Sequence, residues 1–267
     1  MQNVKIALLD LYKGEKNEEV RQLLKLARTH FPGATITVFD LRQKLTFPSL
    51  SYDIFLVSGG LGDPRDPEGL FAEMFGQWLD GVMEWNRTHT VKRPVLLICH
   101  AFQLACLHFG IGRVTPRKSP TFGVYPVHLT EAGLADPVLG QLDNPFFAAD
   151  FRSFQVISPN ESALQEQEME ILALEKIRPH VPLARAIMAV RFSDHILGVQ
   201  FHPEVEPTTM RRQLKDPNRR DKIVQDDGLE KYQKMLKYLN DTTKMSVVHQ
   251  TLIPTFFRQA LSLIPDE

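Results

Sequence analysis

The chain lacks the features that mark several large classes of protein. It has only two cysteines, Cys99 and Cys106, so a disulfide framework does not supply its stability. It has 31 Lys and Arg residues and 32 Asp and Glu residues, and the net charge of -1 gives no general attraction to nucleic acid or to an anionic membrane. The 267 residues, 43% hydrophobic and 24% charged, have a globular composition. A chain this long buries about three quarters of its surface and needs no structural metal.

Long apolar runs are also missing. The most apolar stretch, residues 94–105, is interrupted by His100 and Gln103 and falls short of the roughly 20 residues that a membrane span needs. The N-terminal segment shows no basic region followed by an apolar stretch and a cleavage site. Two cysteines seven positions apart fit a reducing compartment. We therefore predict a cytoplasmic protein with neither a membrane nor a nucleic acid as partner.

The first half of the chain alternates short β-rich segments with helical patterns, which is typical of βαβ units. Strands are predicted at residues 4–9, 34–39, 53–58, 94–98, 124–129, 151–157, 184–192 and 196–201. Helices are predicted after Asn17, over residues 67–85 and after Cys99. The expected fold class is α/β, with an open, mostly parallel sheet covered by helices on both faces.

The chain changes character at residue 207. Its last 61 residues, 207–267, are mainly helix-forming and carry apolar residues at helical spacing. We predict one domain over residues 1–206 and a helical extension over 207–267, packed on the body or on a partner subunit. The basic run between Arg211 and Lys222 is interpreted as a solvated helical face in preference to a binding patch.

Three segments that can carry chemistry follow predicted strands. Cys99 lies at a strand-to-helix turn, where the amides of a helix N-terminus stabilise a thiolate. A glycine pair, Gly59 and Gly60, ends another strand. His202 and Glu204 follow a third strand, two residues apart. Because the carboxyl ends of parallel strands line one crevice, these segments are predicted to meet as a nucleophile, an oxyanion loop, and a base with its orienting carboxylate.

The same segments resemble a known family. Residues 57–60 (VSGG), the Cys99-x-x-x-Gln103 pattern and residues 198–204 (GVQFHPE) are similar to the three signature segments of class I glutamine amidotransferases. The segment 122–130 resembles the amidotransferase part of GMP synthases. The resemblance covers about residues 1–206, and it implies the flavodoxin-like amidotransferase fold.

The resemblance also implies a reaction. In this reaction, Cys99 attacks the side-chain amide of glutamine and forms a thioester, His202 shuttles the proton, and Glu204 orients His202. The backbone amides of Gly60 and His100 would form the oxyanion hole. Glutamine or a γ-glutamyl compound is the expected substrate, and no cofactor or metal is expected. Ammonia would pass to a separate synthetase subunit. Assembly of the chain into a homo-oligomer is also left open.

Three further residues are candidates for substrate binding: Gln103, Arg152 and Ser153. Gln103 would line the glutamine pocket, as the resemblance implies. The stretch 151–156 departs from the polar Ser-His type segment of the family, but Arg152 could hold a carboxylate through two hydrogen bonds. Two more departures, Leu97 and Ala101, stand where the family usually has glycine around the cysteine.

Two other functions are kept open. The pattern Cys99-x-Ala101-x-Gln103 and Arg152 are also similar to homoserine O-acyltransferases, which use a comparable Cys, His and Glu. The departures at Leu97 and over 151–156 also allow a catalytically degenerate regulatory or binding protein. A metal site is not favoured, because the spacing of Cys99, His100, Cys106 and His108 fits no usual zinc pattern.

Overall fold

A nine-stranded sheet forms the centre of the molecule in the computed structural model, which describes residues 4–66, 69–177, 184–241 and 244–264. The strands are β1 Lys5–Leu11, β2 Thr35–Asp40, β3 Ile54–Gly60, β4 Val95–Ile98, β5 Arg113–Leu129, β6 Phe146–Ile157, β7 Glu170–Glu175, β8 Ile187–Ser193 and β9 Ile196–Val199. Their order is β2-β1-β3-β4-β9-β8-β7-β5-β6. The pairings from β2 to β9 are parallel, and those from β9 to β6 are antiparallel.

Helices cover both faces of this sheet. They are α1 Glu18–His30, α2 Leu41–Lys44, α3 Phe71–Thr88, α4 His100–His108, α5 Glu131–Ala135, α6 Glu161–Glu166, α7 Pro207–Lys215, α8 Pro217–Asp227, α9 Leu229–Asn240 and α10 Met245–Ser262. Helices α1 and α10 bury apolar side chains on one face, and α3 and α4 do so on the other. This arrangement confirms the predicted α/β class with helices on both faces.

The sequence signals for single elements agree with the structure in part. Asn17 caps α1, and its side-chain oxygen accepts hydrogen bonds from the backbone amides of Glu19 and Val20. The helix predicted over 67–85 is found at α3, and residues 67 and 68 lie outside the described residues. The sequence patterns do not predict strand β7, and β5 and β6 form a longer hairpin than the patterns at 124–129 and 151–157 indicate.

The parallel register places the three candidate segments side by side. Val57 of β3 pairs with Leu97 of β4, and Leu97 pairs with Gly198 of β9. The glycine pair, Cys99 and the segment after β9 therefore follow at the same edge of the sheet, where ligands bind in open α/β folds.

The C-terminal helices pack on the body of the same chain. Side chains of α7, α8 and α9 form an apolar cluster with β5 and β6, and Met210, Met235 and Val124 are among its members. Helix α10 packs against α1, where Phe257 contacts Phe31 edge to face. The boundary at 206/207 stays a prediction. No helix in the described part of the chain has the length and apolar character needed to cross a membrane.

Candidate active site

Cys99 lies in a sharp turn between β4 and α4. Its backbone has φ 50° and ψ -99°, a conformation that residues other than glycine rarely adopt. Such a residue between a buried strand and a helix presents its side chain at the sheet edge, next to the free amides of the first helical turn. The nucleophile-elbow geometry is therefore present.

The residues that replace the family's glycines lie in the core. Leu97 and Ala101 are both fully buried in the cluster that joins α3 and α4 to the sheet. Phe102 packs edge to face with Phe192, and a Cβ on Gly198 would come within 2.8 Å of the Phe102 ring. Gly198 on the neighbouring strand therefore leaves room for the Phe102 ring.

His202 and Glu204 form a buried pair beside Cys99. The distance from Nδ1 of His202 to Oε1 of Glu204 is 2.7 Å, and the Glu204 side chain is fully buried. Burial lowers the pKa of His202, but the Glu204 carboxylate and the hydrogen-bonding Cys99 side chain together raise this pKa well above its usual value. The charged form of the imidazole is therefore favoured beside the Glu204 carboxylate and the Cys99 sulfur.

Two further groups touch the sulfur of Cys99. The thiol donates to the backbone oxygen of Phe151 at 3.7 Å, and the side-chain amide of Gln200 donates to Sγ, also at 3.7 Å. The ring of Phe151 also stacks on the imidazole of His202, with 4.8 Å between centroids. The sequence alone assigns no role to Gln200 or to Phe151. Gln200 lies inside the 198–204 motif, which is the signal that could have found it.

The glycine pair comes close to these side chains. A Cβ on Gly59 would lie 2.8 Å from the hydroxyl of Tyr12, 3.0 Å from Cε1 of His202 and 3.6 Å from Cβ of Cys99. Real Cβ atoms do not approach other atoms as closely as the first of these distances, so glycine is the residue that fits. Burial raises the pKa of Tyr12 well above its usual value, and the nearby Cys99 and Glu204 add to this increase, so the phenol stays neutral.

Gly60 and His100, the two predicted oxyanion residues, are neighbours. A Cβ on Gly60 would lie 3.3 Å from Cδ2 of His100, and both residues line the cleft beside Cys99. His100 is the first residue of α4, so its amide has no acceptor within the helix. Burial lowers the pKa of the His100 side chain to about 3, and the positive charge of Arg42 contributes to the shift.

The cleft above Cys99 has a volume of about 330 Å³. Its remaining lining residues are Leu61, Gly62, Gln103, Pro120, Thr121, Phe122, Phe151, Arg152, Ser153 and Phe154. Gln103 lies at its floor, where its amide nitrogen donates to the Gln200 side chain at 2.9 Å and to the Phe154 carbonyl at 3.2 Å. Among the residues that the structure describes, none donates a hydrogen bond to the Gln103 side-chain oxygen.

Arg152 and Ser153, the other predicted substrate-binding residues, both line this cleft but differ in surroundings. Ser153 is exposed. The Arg152 side chain is buried and pairs with Asp150 at 3.0 Å and with Glu175 at 3.5 Å. Among the described residues, its Nη1 atom has no hydrogen-bond partner. Arg152 thus combines an internal ion pair with an unused donor.

Cys106, unlike Cys99, does not line the cleft. It is fully buried against the sheet in the core of α3 and α4, and burial raises the pKa of its thiol well above the usual value. Within the described ranges, no three His, Cys, Asp or Glu side chains are grouped so that they could hold a metal ion.

Comparison with solved structures shows that this architecture recurs. A glutamine amidotransferase from Thermotoga maritima matches with 14% identity and a TM-score of 0.68, over 98% of this chain and 99% of that one. A proposed GMP synthase subunit from Thermoplasma acidophilum matches with 20% identity and a TM-score of 0.55, over 77% of this chain and 87% of that one. The CTPS glutaminase domain from Trypanosoma brucei, with bound acivicin, matches with 15% identity and a TM-score of 0.54. The match covers 75% of this chain and 86% of that one.

The extent of these matches bears on the C-terminal helices. The Thermotoga maritima match spans nearly the whole chain, so those helices have counterparts in a structure of this fold. No curated protein sequence matches this chain. The family model for class I glutamine amidotransferases matches residues 7–217, most of the sequence. The chain therefore belongs to the class I glutamine amidotransferase family.

Proposed function

We propose that this protein is a cysteine-dependent glutamine amidotransferase or amidohydrolase that cleaves a γ-carboxamide or γ-glutamyl bond through a thioester. The observation that carries the proposal is the 2.7 Å contact between His202 and Glu204, next to a cysteine in an elbow conformation. Together they provide a nucleophile, a base and a group that orients the base.

The first half-reaction begins from the Cys99 thiolate and the protonated His202. The sulfur attacks the γ-carbonyl carbon, and a C–S bond forms as the carbonyl oxygen takes up negative charge. The C–N bond then breaks, and His202 gives its proton to the leaving nitrogen. Ammonia leaves, and a glutamyl thioester remains on Cys99. Glu204 keeps Nδ1 protonated, so the other ring nitrogen faces the reaction.

The negative charge on the carbonyl oxygen needs fixed donors. Gly60 and His100 are neighbours that line the cleft together with Cys99, which supports the assignment of their backbone amides as the oxyanion hole. The neutral side chain of His100 adds no charge of its own.

Hydrolysis completes the cycle. A water molecule gives a proton to His202 while its oxygen attacks the thioester carbon, and the C–S bond breaks. Glutamate leaves, and the thiolate and imidazolium are restored. The proposed reaction has no redox step and uses no group beyond water.

Substrate recognition is assigned to Gln103, Ser153 and Arg152. The free side-chain oxygen of Gln103 accepts a hydrogen bond from the α-amino group, and the exposed Ser153 hydroxyl donates to the α-carboxylate. Arg152 contributes positive charge near the α-carboxylate and no direct hydrogen bond, because its Nη1 and Nη2 atoms are buried and its guanidinium pairs with Asp150 and Glu175. The Asp150 and Glu175 contacts of Arg152 are the same for either substrate, so homoserine O-acyl transfer stays the alternative function.

The ammonia acceptor is proposed to belong to a separate synthetase subunit. The fold is similar to that of a proposed GMP synthase subunit, and also to the CTPS glutaminase domain, which supports this arrangement. Cytoplasmic location and assembly into a homo-oligomer stay predictions.

The proposal is tested by glutamine hydrolysis with the full chain. Glutamate and ammonia should appear in equal amounts with the wild type and with Cys106→Ala, and neither should appear with Cys99→Ala. A wild-type rate no higher than that of Cys99→Ala, for glutamine and for a panel of γ-glutamyl amides, would overturn the proposal and favour a degenerate, non-catalytic protein.

A further inference from the structure

A column of stacked groups runs from His202 to the C-terminal helices. The His202 imidazole lies 4.8 Å from the Phe151 ring at an interplanar angle of 30°, and Phe151 lies 5.0 Å from the Phe122 ring at 28°. The guanidinium carbon of Arg219 lies 4.7 Å from the centre of the Phe122 ring. Three rings and one cation therefore form a continuous contact from the buried base to the surface.

The fold fixes each member of this column. Phe122 and Phe151 are directly paired residues of β5 and β6. The backbone amide of His202 donates to Ala149 of β6 at 2.9 Å, which ties the base to the same strand. Arg219 lies in the first turn of α8, where its backbone amide donates to the Asp216 side chain at 3.1 Å. The column thus joins two neighbouring strands to a helix of the C-terminal region.

The column supplies a restraint that Glu204 does not. A hydrogen bond to Nδ1 fixes one atom of the imidazole, but the ring plane can still tilt about that contact. A ring stacked on the face of the imidazole limits the tilt. The Arg219 cation over the Phe122 ring stabilises the outer end of this column, because the face of an aromatic ring carries negative charge density.

We propose that Phe151 and Arg219 are positioning residues that set the plane of the His202 ring, so that helix α8 takes part in the function of the active site. This inference rests on the proposed function. It assigns to the C-terminal helices a role in catalysis beyond packing. It also accounts for Phe151, which departs from the polar segment of the family, because an aromatic ring at this position supports the base.

The test uses glutamine hydrolysis by full-length variants. Arg219→Gln should lower kcat about two- to fivefold, the range of an exposed cation–π contact, with KM changed less than about twofold. Arg219→Lys should recover much of the loss, because an ammonium can also lie over the ring. Arg220→Gln, an exposed arginine in the same helix, is the matched control and should leave both constants unchanged.

A second pair of variants examines the contact next to the base. Phe151→Leu should lower kcat about tenfold through loss of the ring contact, and Phe151→Tyr should stay close to the wild type. If Phe151→Leu does not fold, the Arg219 series decides the question. Equal kcat values for Arg219→Gln and Arg220→Gln in an active protein would overturn this inference and leave the proposed function standing. An inactive wild type, with no labelling of Cys99 by a glutamine-like electrophile, would instead overturn the proposed function.

Discussion

The Nδ1 atom of His202 lies 2.7 Å from Oε1 of Glu204, and both side chains are buried at the edge of the sheet beside Cys99. A buried imidazole without a charged partner would be neutral. Here the carboxylate reverses the effect of burial, and the pKa of His202 rises. The pair therefore decides whether the site starts from a charged or a neutral base.

Replacement of Glu204 by Gln tests this relationship. The amide keeps the shape of the side chain but removes its charge, so the pKa of His202 should fall and kcat for glutamine hydrolysis should drop about 100-fold or more. Steady-state kinetics at neutral pH measure the drop. Glu206→Gln is the control, since Glu206 lies two residues further on and pairs with Lys25 at the surface. Similar rates for the two variants would contradict the role of Glu204.

A methyl group on Gly59 should disrupt the site. In Gly59→Ala the new Cβ would lie 2.8 Å from the Tyr12 hydroxyl and 3.0 Å from the His202 ring, so one of these buried groups must move. Activity should fall about 100-fold, since small misplacements of catalytic groups cost about that much.

The matched control for Gly59→Ala is Gly81→Ala. Gly81 lies in the exposed part of α3, and a Cβ there meets no atom within 4 Å. This variant should keep full activity and gain about 0.5–1 kcal/mol in the free energy of unfolding, because alanine favours a helix over glycine. Urea denaturation and activity assays on both variants separate the local effect from general damage.

His100 should make the stability of the protein depend on pH. Its folded-state pKa is about 3, below the value of 6.5 for an unperturbed imidazole. Between these values the unfolded chain binds a proton that the folded chain does not. The contribution of His100 to stability is therefore complete above pH 6.5 and is lost as the pH falls toward 3.

The variant His100→Gln removes this titration. The free energy of unfolding of the wild type should fall more steeply below pH 6.5 than that of the variant, by up to about 1.4 kcal/mol per pH unit. Urea unfolding at about pH 7, 6 and 5 measures both slopes. Parallel slopes would show that the ring titrates alike in the folded and unfolded chains.

The sequence predicts the parallel part of the sheet well, because short buried strands there alternate with amphipathic helices. Strands β3, β4 and β9 lie close to the predicted positions and bring the glycine pair, Cys99 and His202 to one edge. The antiparallel part is harder to predict. Strand β7 has no clear alternation, and the length of the β5–β6 hairpin depends on pairing between residues far apart in sequence.

The surroundings of the site are predicted less completely than its motif residues. Arg152 is a plausible carboxylate ligand by residue type, but its pairing with Asp150 and Glu175 depends on tertiary contacts between strands. The stacking of Phe151 on His202 likewise requires the fold to bring β6 beside the segment after β9. Residue spacing along one segment carries no information about either contact.

Covalent labelling is the most direct test of Cys99 as the proposed nucleophile. The full chain is treated with 6-diazo-5-oxo-L-norleucine, a glutamine analogue in which a diazomethyl ketone replaces the side-chain amide, and the modified peptide is identified by mass spectrometry. One modification is expected, on Cys99, that glutamine suppresses and that Cys99→Ala abolishes. Cys106 should stay unmodified, because it is fully buried away from the cleft and burial raises the pKa of its thiol. Absence of labelling, or labelling of Cys99 that glutamine does not suppress, would contradict the account.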